Sequence, residues 1–583
     1  MPLFIDNLKF LGVKMKDFKF SELEYTRPSI ENTKKELNVF TERLKKADTF
    51  EEANAIYLEF DKFTSGISDL ATIVEVRHTI DTSDKFYDEE NEFLSEAFPT
   101  IMPDLLAFSD ALYSSPFKKQ FEEKYGEMLF VSIDLQKKSF CEENIPLMQK
   151  QAKLCNEYEK IIASADIPFD GKHLNIYGII KYFENEDREI RRGAYKAYSN
   201  FYSSNEKRLE EIWGELIDVR NKMGKNLGFE NFIPLGYLRQ GRTDYTPEDV
   251  AAFREQVKKE LVPFCQKLYE AQAKRIGVDK IMAYDEKLIF KGGNAVPSGD
   301  DDFLIGQARE MYKDMSKETG EFIDFMIDHE LLDLKNKPNK ASTGYMTSLN
   351  NLKAPFVFSC FNHTTGDIDV LTHELGHAFA GYMAMRNQPI SEYYSETTDI
   401  AEIHSMSMEQ FAYPYAEKFV GEGADKYRFA HLQEALTFVP FGVAVDEFQH
   451  IMYANPSLTP KERTAVWRDL ERKYMPWREY DENDEFFGRG GYWYHKIHIF
   501  LYPFYYINYT LTTMGAMEFK KKMSEDKVSA WNDYLNLCKV GGSKKYKDTL
   551  RYANLSIPFE EGSVKKACSY AEEILLSEIE KYN

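Results

Sequence analysis

Three residues of one short segment have types and a spacing that could do hydrolytic chemistry. In "LTHELGHAFA" (371–380), His373 and His377 stand four apart, and Glu374 follows the first histidine. On a helix, positions i and i+4 share a face, so two imidazoles can offer lone pairs to one metal ion. Glu374 is displaced around the helix, where a carboxylate can reach a water beside the metal without being a ligand. Such a set points to metal-assisted hydrolysis with Glu374 as general base. The competing reading is a packed helix whose histidines are satisfied by hydrogen bonds. A hydrolytic site also needs a third protein ligand and one open position.

The following segment, "SEYYSETTDIAEIHSMSMEQF", offers Glu392, Glu396, Asp399, Glu402, His404 and Glu409 as third ligands. Glu396 comes 18 residues after the second histidine and Glu402 comes 24 after it, counting the residues between. Spacing alone does not choose. Thr397 or Thr398 reads as a helix cap, which puts Glu402 early in a helix and Glu396 outside its start. Glu409 then falls on the same face as Glu402. Gly376 and Ala378 are small enough to let that second helix approach closely.

The elements that must position these residues are mostly helical. Apolar residues recur three and four apart in "TKKELNVFTERLKKADTFEEANAIYLEFDKFTSGI", and again in "LMQKQAKLCNEYEKIIASA". "DREIRRGAYKAYSNFYSSNEKRLEEIWGELIDVRNKMGKNLG" shows the same period, with acids at its start and a glycine at its end. Thr246, Pro247 and Glu248 make a strong helix start. Strand candidates are few: "EMLFVSIDL" (127–135) and "KAPFVFSCF" (353–361). The second ends about ten residues before His373 and could hold a peptide as an added strand, or simply be buried. Asp367 and Asp399 could support ligands from behind, and His363 reads as a loop residue. Loops are expected at 291–302, 335–351 and 486–494. The fold class is mainly α, with a small β-sheet beside the H-E-x-x-H helix.

Bulk properties exclude several classes. A chain of 583 residues can bury several cores. A net charge of −22 without a basic patch argues against a nucleic-acid partner. No apolar run approaches the roughly 18 residues of a membrane span, so no membrane partner is expected. "MPLFIDNLKF" lacks the basic-then-apolar pattern of a secretory leader. The six cysteines are scattered, with no C-x-x-C pair. That argues against a disulfide framework or a cysteine metal site and points to a reducing, cytoplasmic location.

"KAPFVFSCFNHTTGDIDVLTHELGHAFAGY", followed by "DIAEIHSMSMEQF", resembles the oligoendopeptidase F branch of the zinc metallopeptidases that include thimet oligopeptidase. The family's third ligand lies on a helix reading E-x-x-S-x-x-x-E, which Glu402, Ser405 and Glu409 match. The resemblance therefore implies one Zn2+ held by His373, His377 and Glu402, in preference to Glu396. It continues upstream into "ETGEFIDFMIDHELLDLKNKP" and downstream into "HIFLYPFYYINY". It is closest beyond residue 200 and looser before it, which sets an N-terminal helical lobe at 1–195 and a catalytic domain at 196–583. It implies a two-lobed helical body around a deep substrate channel.

Related peptidases place a histidine and two tyrosines three apart over the scissile carbonyl. In "GRGGYWYHKIHIFLYPFYYINYTL" the resemblance carries these oxyanion-binding roles to His498, Tyr506 and Tyr509. Tyr506 and Tyr509 would share one face of a helix. The spacing from His498 departs by two residues from thimet oligopeptidase, so His495 and Tyr505 are rivals. The implied activity is zinc-dependent endopeptidase cleavage of short oligopeptides. A zinc carboxypeptidase or dipeptidase, with Arg489 gripping a terminal carboxylate, is the alternative. A peptide-binding protein with a structural zinc is a third reading.

Overall fold

The computed structural model describes residues 18–337, 339–341, 344–361 and 363–582. The leader-free reading of "MPLFIDNLKF" lies outside these residues. The chain forms two compact units, each discontinuous in sequence. The first gathers Met1–Asp134, Val296–Gly421 and Asp526–Asn554; the second gathers Leu135–Ala295, Glu422–Glu525 and Leu555–Asn583. Both are mainly α-helical, with a few short strands, as the helical periodicity predicts. Among the described residues, no helix is long and apolar enough to cross a membrane.

In the first unit, the helices Ile30–Lys45, Phe50–Ile80, Met102–Tyr113 and Lys118–Tyr125 bury Leu37, Phe40, Ile56, Phe108 and Phe121 in one core. Of the expected strand at 127–135, all but the first residue lies in the helix Met128–Ser139, which joins this core. Leu129, Phe130 and Ile133 fall on one helical face and are all buried in this core. Tertiary burial thus overrides the β-preference of the local sequence.

"KAPFVFSCF" does contain a strand, Ala354–Phe358, and every residue of it is buried. It is the centre of a three-stranded sheet. Leu332–Asp333 pairs with it in parallel, and Tyr345–Leu349 pairs antiparallel with Leu349 opposite Ala354. Both sides of the central strand therefore have a protein neighbour. The expected loop at 335–351 is interrupted by the antiparallel strand. Asp69, from the long helix Phe50–Ile80, accepts from the backbone N–H of Asn350 at 2.6 Å and of Asn351 at 3.1 Å. This fixes the turn between the two strands.

The H-E-x-x-H helix, Gly366–Asn387, packs on this sheet and against the helices Thr398–Ala412 and Lys527–Val540. Its crossing with Thr398–Ala412 is close because of Gly376. A Cβ there would lie 2.8 Å from Ser405 Cα and 3.2 Å from the His404 carbonyl oxygen. Both contacts are backbone, which cannot swing away.

The second unit is built on the helices Arg188–Asn226, Ala424–Ala454, Ile507–Glu525 and Ser563–Tyr582. Thr246 caps Pro247–Gln256 through a reciprocal bond with Asp249, as its sequence requires. Arg220 is fully buried. Its guanidinium donates to the Phe500 carbonyl and, at 2.9 Å, to Tyr453 Oη. Arg242 donates to the Phe504 carbonyl at 2.6 Å and to Asn508 Oδ1 at 2.8 Å. Two buried guanidinium groups thus pin residues 500–508.

Gly376→Ala is expected to force the two helices of the first unit apart, at a cost of about 1–3 kcal/mol. The metal-free protein should show a lowered thermal midpoint for the transition that includes this unit. An unchanged midpoint would show that the crossing has slack.

Candidate metal centre and oxyanion-binding cluster

His373, Glu374 and His377 lie in the middle of the helix Gly366–Asn387, and Glu402 lies in the second turn of Thr398–Ala412. Thr397 stands at the cap position of the latter, but its hydroxyl donates to the Asp399 carboxylate. The Nε2 atoms of His373 and His377 lie 3.3 and 3.4 Å from the same oxygen, Glu402 Oε2. The three ligand atoms are within 4.8 Å of one another. Ligands bonded at about 2.0–2.1 Å to a tetrahedral ion stand about 3.3 Å apart, so the donor set fits such an ion. Glu374 is half-buried beside them.

The surroundings aim these ligands. His373 Nδ1–H donates to Glu409 Oε1 at 2.6 Å, which fixes the tautomer that leaves the Nε2 lone pair facing inward. Ser405 Oγ donates to Glu402 Oε2 at 3.1 Å. Burial opposes a charged His373, yet its bonds to Glu402 and Glu409 hold its pKa well above the ordinary histidine value. Burial would raise the Glu402 carboxyl, but the charges and hydrogen bonds of His377 and His373 take it well below the usual range. The pocket thus stabilises positive charge where the three donors meet.

The other candidates are placed elsewhere. Glu396 Oε1 faces His404 Nδ1 at 2.9 Å, and neither residue belongs to the three-donor cluster. Asp367 accepts from the backbone N–H of His363 at 2.7 Å. With Asp301 and His363 it forms a second gathering of possible ligands. Both of its acids stand in the first turn of a helix, where negative charge offsets the helix terminus. Glu409, one of the candidate third ligands, instead accepts from His373 Nδ1 and stands outside the three-donor cluster. The signal for that contact was its place seven residues after Glu402, on the face that meets the H-E-x-x-H helix.

In the second unit, "HKIHIFLYPFYYINY" does not form one continuous helix. A short helix Ile497–Leu501 ends, and Ile507–Glu525 begins after a bend. Pro503 lies in the bend, and Phe504 takes φ +63°. That left-handed backbone is held by a bond from Phe504 N–H to Gln449 Oε1 at 2.9 Å, and by the Arg242 bond to its carbonyl. The fully buried Phe504 ring packs on Phe232, Tyr237, His450 and Tyr453.

Tyr506 therefore precedes the helix and Tyr509 occupies its first turn, so the expected shared helical face is replaced by a shared cluster. The His498 ring lies 4.8 Å from Tyr506 and 6.0 Å from Tyr509, centroid to centroid, and the two tyrosines are 5.5 Å apart. Tyr505 stands 5.9 Å from His498, and so belongs to the same group. His495 turns to a different set. It bonds through Nδ1 to the Tyr492 carbonyl and stacks on Phe441. Burial, with Lys496 and Arg478 nearby, lowers its pKa to about 3. Arg489, the alternative carboxylate grip, donates to Glu206 at 2.6 Å.

A family model described as peptidase family M3 matches residues 181–288 and 318–567, and one described as the peptidase M3 N-terminal domain matches residues 20–140. Oligopeptidase PepF of Bacillus subtilis strain 168 is 22% identical over 559 residues, covering 88% of this chain and 79% of its own. An oligoendopeptidase F homolog of Borreliella burgdorferi is 21% identical over 430 residues, 71% of each chain. The solved structure of Pz peptidase A with an inhibitor superposes with a TM-score of 0.90 at 45% identity, covering 96% of this chain and 99% of that one.

Glu409→Gln replaces the acceptor that holds the His373 N–H with a group that can present an amide instead. Metal affinity is expected to fall about 10–100-fold, as losses of such supporting partners do. Competition against a chelator measures it, with circular dichroism as the fold control. Wild-type affinity would show that Glu409 does not orient His373.

Proposed function

We propose, for a chain that belongs to peptidase family M3, a zinc-dependent endopeptidase that cleaves internal bonds of short peptides. The family makes it a metallopeptidase. The identity of the ion, the roles of individual residues and the substrate length are our reading. One observation carries it: two imidazole nitrogens and one carboxylate oxygen converge at tetrahedral spacing, with Glu374 beside them. Two imidazoles with one carboxylate suit zinc.

Zinc held by His373, His377 and Glu402 would supply Lewis acidity, acidifying a water and polarising the scissile carbonyl. Glu374 takes a proton from the attacking water as its oxygen bonds to the carbonyl carbon. The same carboxyl then delivers that proton to the amide nitrogen as the C–N bond breaks. His498, Tyr506 and Tyr509 donate hydrogen bonds to the oxyanion that forms in between. Support for these three comes from the resemblance of their segment and from their gathering into one cluster. Glu409 and Ser405 keep His373 and Glu402 aimed through each turnover.

Endopeptidase action is favoured over carboxypeptidase action because Arg489 is already engaged with Glu206. A cytoplasmic setting accompanies the proposal and agrees with six free thiols, of which Cys265, Cys538 and Cys568 are buried.

Glu374→Gln removes the base and leaves every proposed ligand in place. The variant is expected to bind zinc as the wild type does and to lose about 10²–10⁴-fold in kcat, the span typical of general acid–base catalysis. Peptides blocked at both ends and internally quenched are the substrate to use. Wild-type turnover by the variant removes Glu374 from the chemistry. Failure of the native enzyme to cleave doubly blocked peptides removes the endopeptidase reading.

A further inference from the structure

Lys496 sits two residues before His498 and plays no part in the mechanism above. It is half-buried and, among the described residues, makes no ion pair. Its ammonium group lies 4.4 Å from the centre of the Tyr506 ring and 5.4 Å from that of Phe441. Among the described residues its ammonium makes one hydrogen bond, from Nζ to Tyr506 Oη at 3.0 Å. A cation withdrawn from water without a carboxylate partner is costly, and cation–π contacts offset only part of that cost.

The direction of the hydrogen bond is settled by chemistry. A protonated lysine has three donors and no acceptor, whereas a phenol oxygen can accept and donate at once. While Lys496 is charged, Tyr506 Oη must accept from it. The phenol's own hydrogen is then excluded from that side and is presented to another acceptor. Tyr506 is only 6% exposed, and Phe438 and Phe441 pack edge-on against its ring, so the ring itself has little freedom to reorient.

We propose that Lys496 is a positioning residue: by donating to Tyr506 Oη it turns the Tyr506 O–H outward as a donor to the developing oxyanion. This rests on the reading of Tyr506 as an oxyanion donor. A neutral Lys496 would do the reverse. Its amine lone pair would accept the phenol proton in a hydrogen bond and withdraw the donor from the substrate.

The charged groups around Lys496 make that switch reachable. Lys287, paired with Glu434 at 3.3 Å, lies near enough to act on it, His495 precedes it in the chain, and Arg478 stands near His495. Burial and the positive charge of Lys287 lower the Lys496 pKa to about 8. Burial keeps Tyr506 protonated well beyond that range. The hydrogen bond therefore points the productive way at neutral pH and reverses as pH rises through Lys496.

The test is a double-mutant cycle on the zinc-loaded enzyme with a doubly blocked, quenched peptide. Tyr506→Phe should lower kcat about 100-fold, as loss of one oxyanion donor does. Lys496→Met should lower kcat at least about tenfold with KM within about twofold, and adding it to Tyr506→Phe should cost nothing more. Lys496→Arg, which keeps a permanent cation, should retain most of the rate and lose the alkaline decline near Lys496's titration. An impaired Tyr506→Phe beside an unimpaired Lys496→Met overturns the inference alone, as do additive losses in the double variant. An alkaline limb unchanged in Lys496→Arg also overturns it. Wild-type turnover by Tyr506→Phe overturns the oxyanion reading and the inference together.

Discussion

The first unit depends on one close helix crossing. Gly376 lets the backbone of Gly366–Asn387 come so near to Ser405 that a single added carbon would meet Ser405 Cα at 2.8 Å. At that separation Glu402 brings one oxygen within 3.3 and 3.4 Å of the two histidine nitrogens. The same crossing brings Glu409 to His373 Nδ1, so one helix supplies a candidate ligand and the hydrogen-bond partner of another. The sheet and the helix Lys527–Val540 cover the remaining sides of the H-E-x-x-H helix. Tyr534 Oη donates to the His404 carbonyl at 2.9 Å, tying the third helix to the second. The three-donor cluster is thus a consequence of helix packing more than of any loop.

The two histidines and Glu374 are legible in the sequence because their relation is local, set by the helical period. Glu402 is less so. Its spacing competes with that of Glu396, and what separates them is the position of the helix start at Thr398 together with the family pattern. The structure shows the physical difference: Glu396 lies before the helix and faces His404, while Glu402 lies inside it and faces the histidines. Glu409 shows the limit of such reading. Its place on the helix face follows from the period, but which nitrogen it meets depends on how two helices cross.

The misread elements have a common cause. "EMLFVSIDL" carries β-branched and aromatic residues yet is helical, because Leu129, Phe130 and Ile133 complete an aromatic core shared with helices from Ile30–Lys45 to the neighbouring Lys118–Tyr125. Tyr506 and Tyr509, expected on one helix face, are parted by the helix start at Ile507, which follows a bend where Phe504 is held in a left-handed conformation by Gln449 and Arg242. In both cases long-range contacts decide between local conformations that the sequence leaves close in energy. The bend is what gathers His498, Tyr506 and Tyr509. A continuous helix would have spread them along an axis instead.

The two clusters manage charge in opposite ways, and each choice suits its task. Around His373 and His377 the protein places two carboxylates, Glu402 and Glu409, so the net field favours a cation. Around Tyr506 it places Lys496, with Lys287 nearby and no carboxylate paired to Lys496 among the described residues. A site meant to hold a cation gains from fixed negative charge already in position, because no reorganisation is needed when the ion binds. A site meant to meet a transient oxyanion gains from the reverse. There the donors must stay oriented through the brief interval in which negative charge exists, and a half-buried ammonium orients a phenol without the repulsion that a carboxylate in its place would bring to the oxyanion. On the proposed roles, the cost of leaving Lys496 without a counter-ion among the described residues is offset when negative charge develops beside Tyr506.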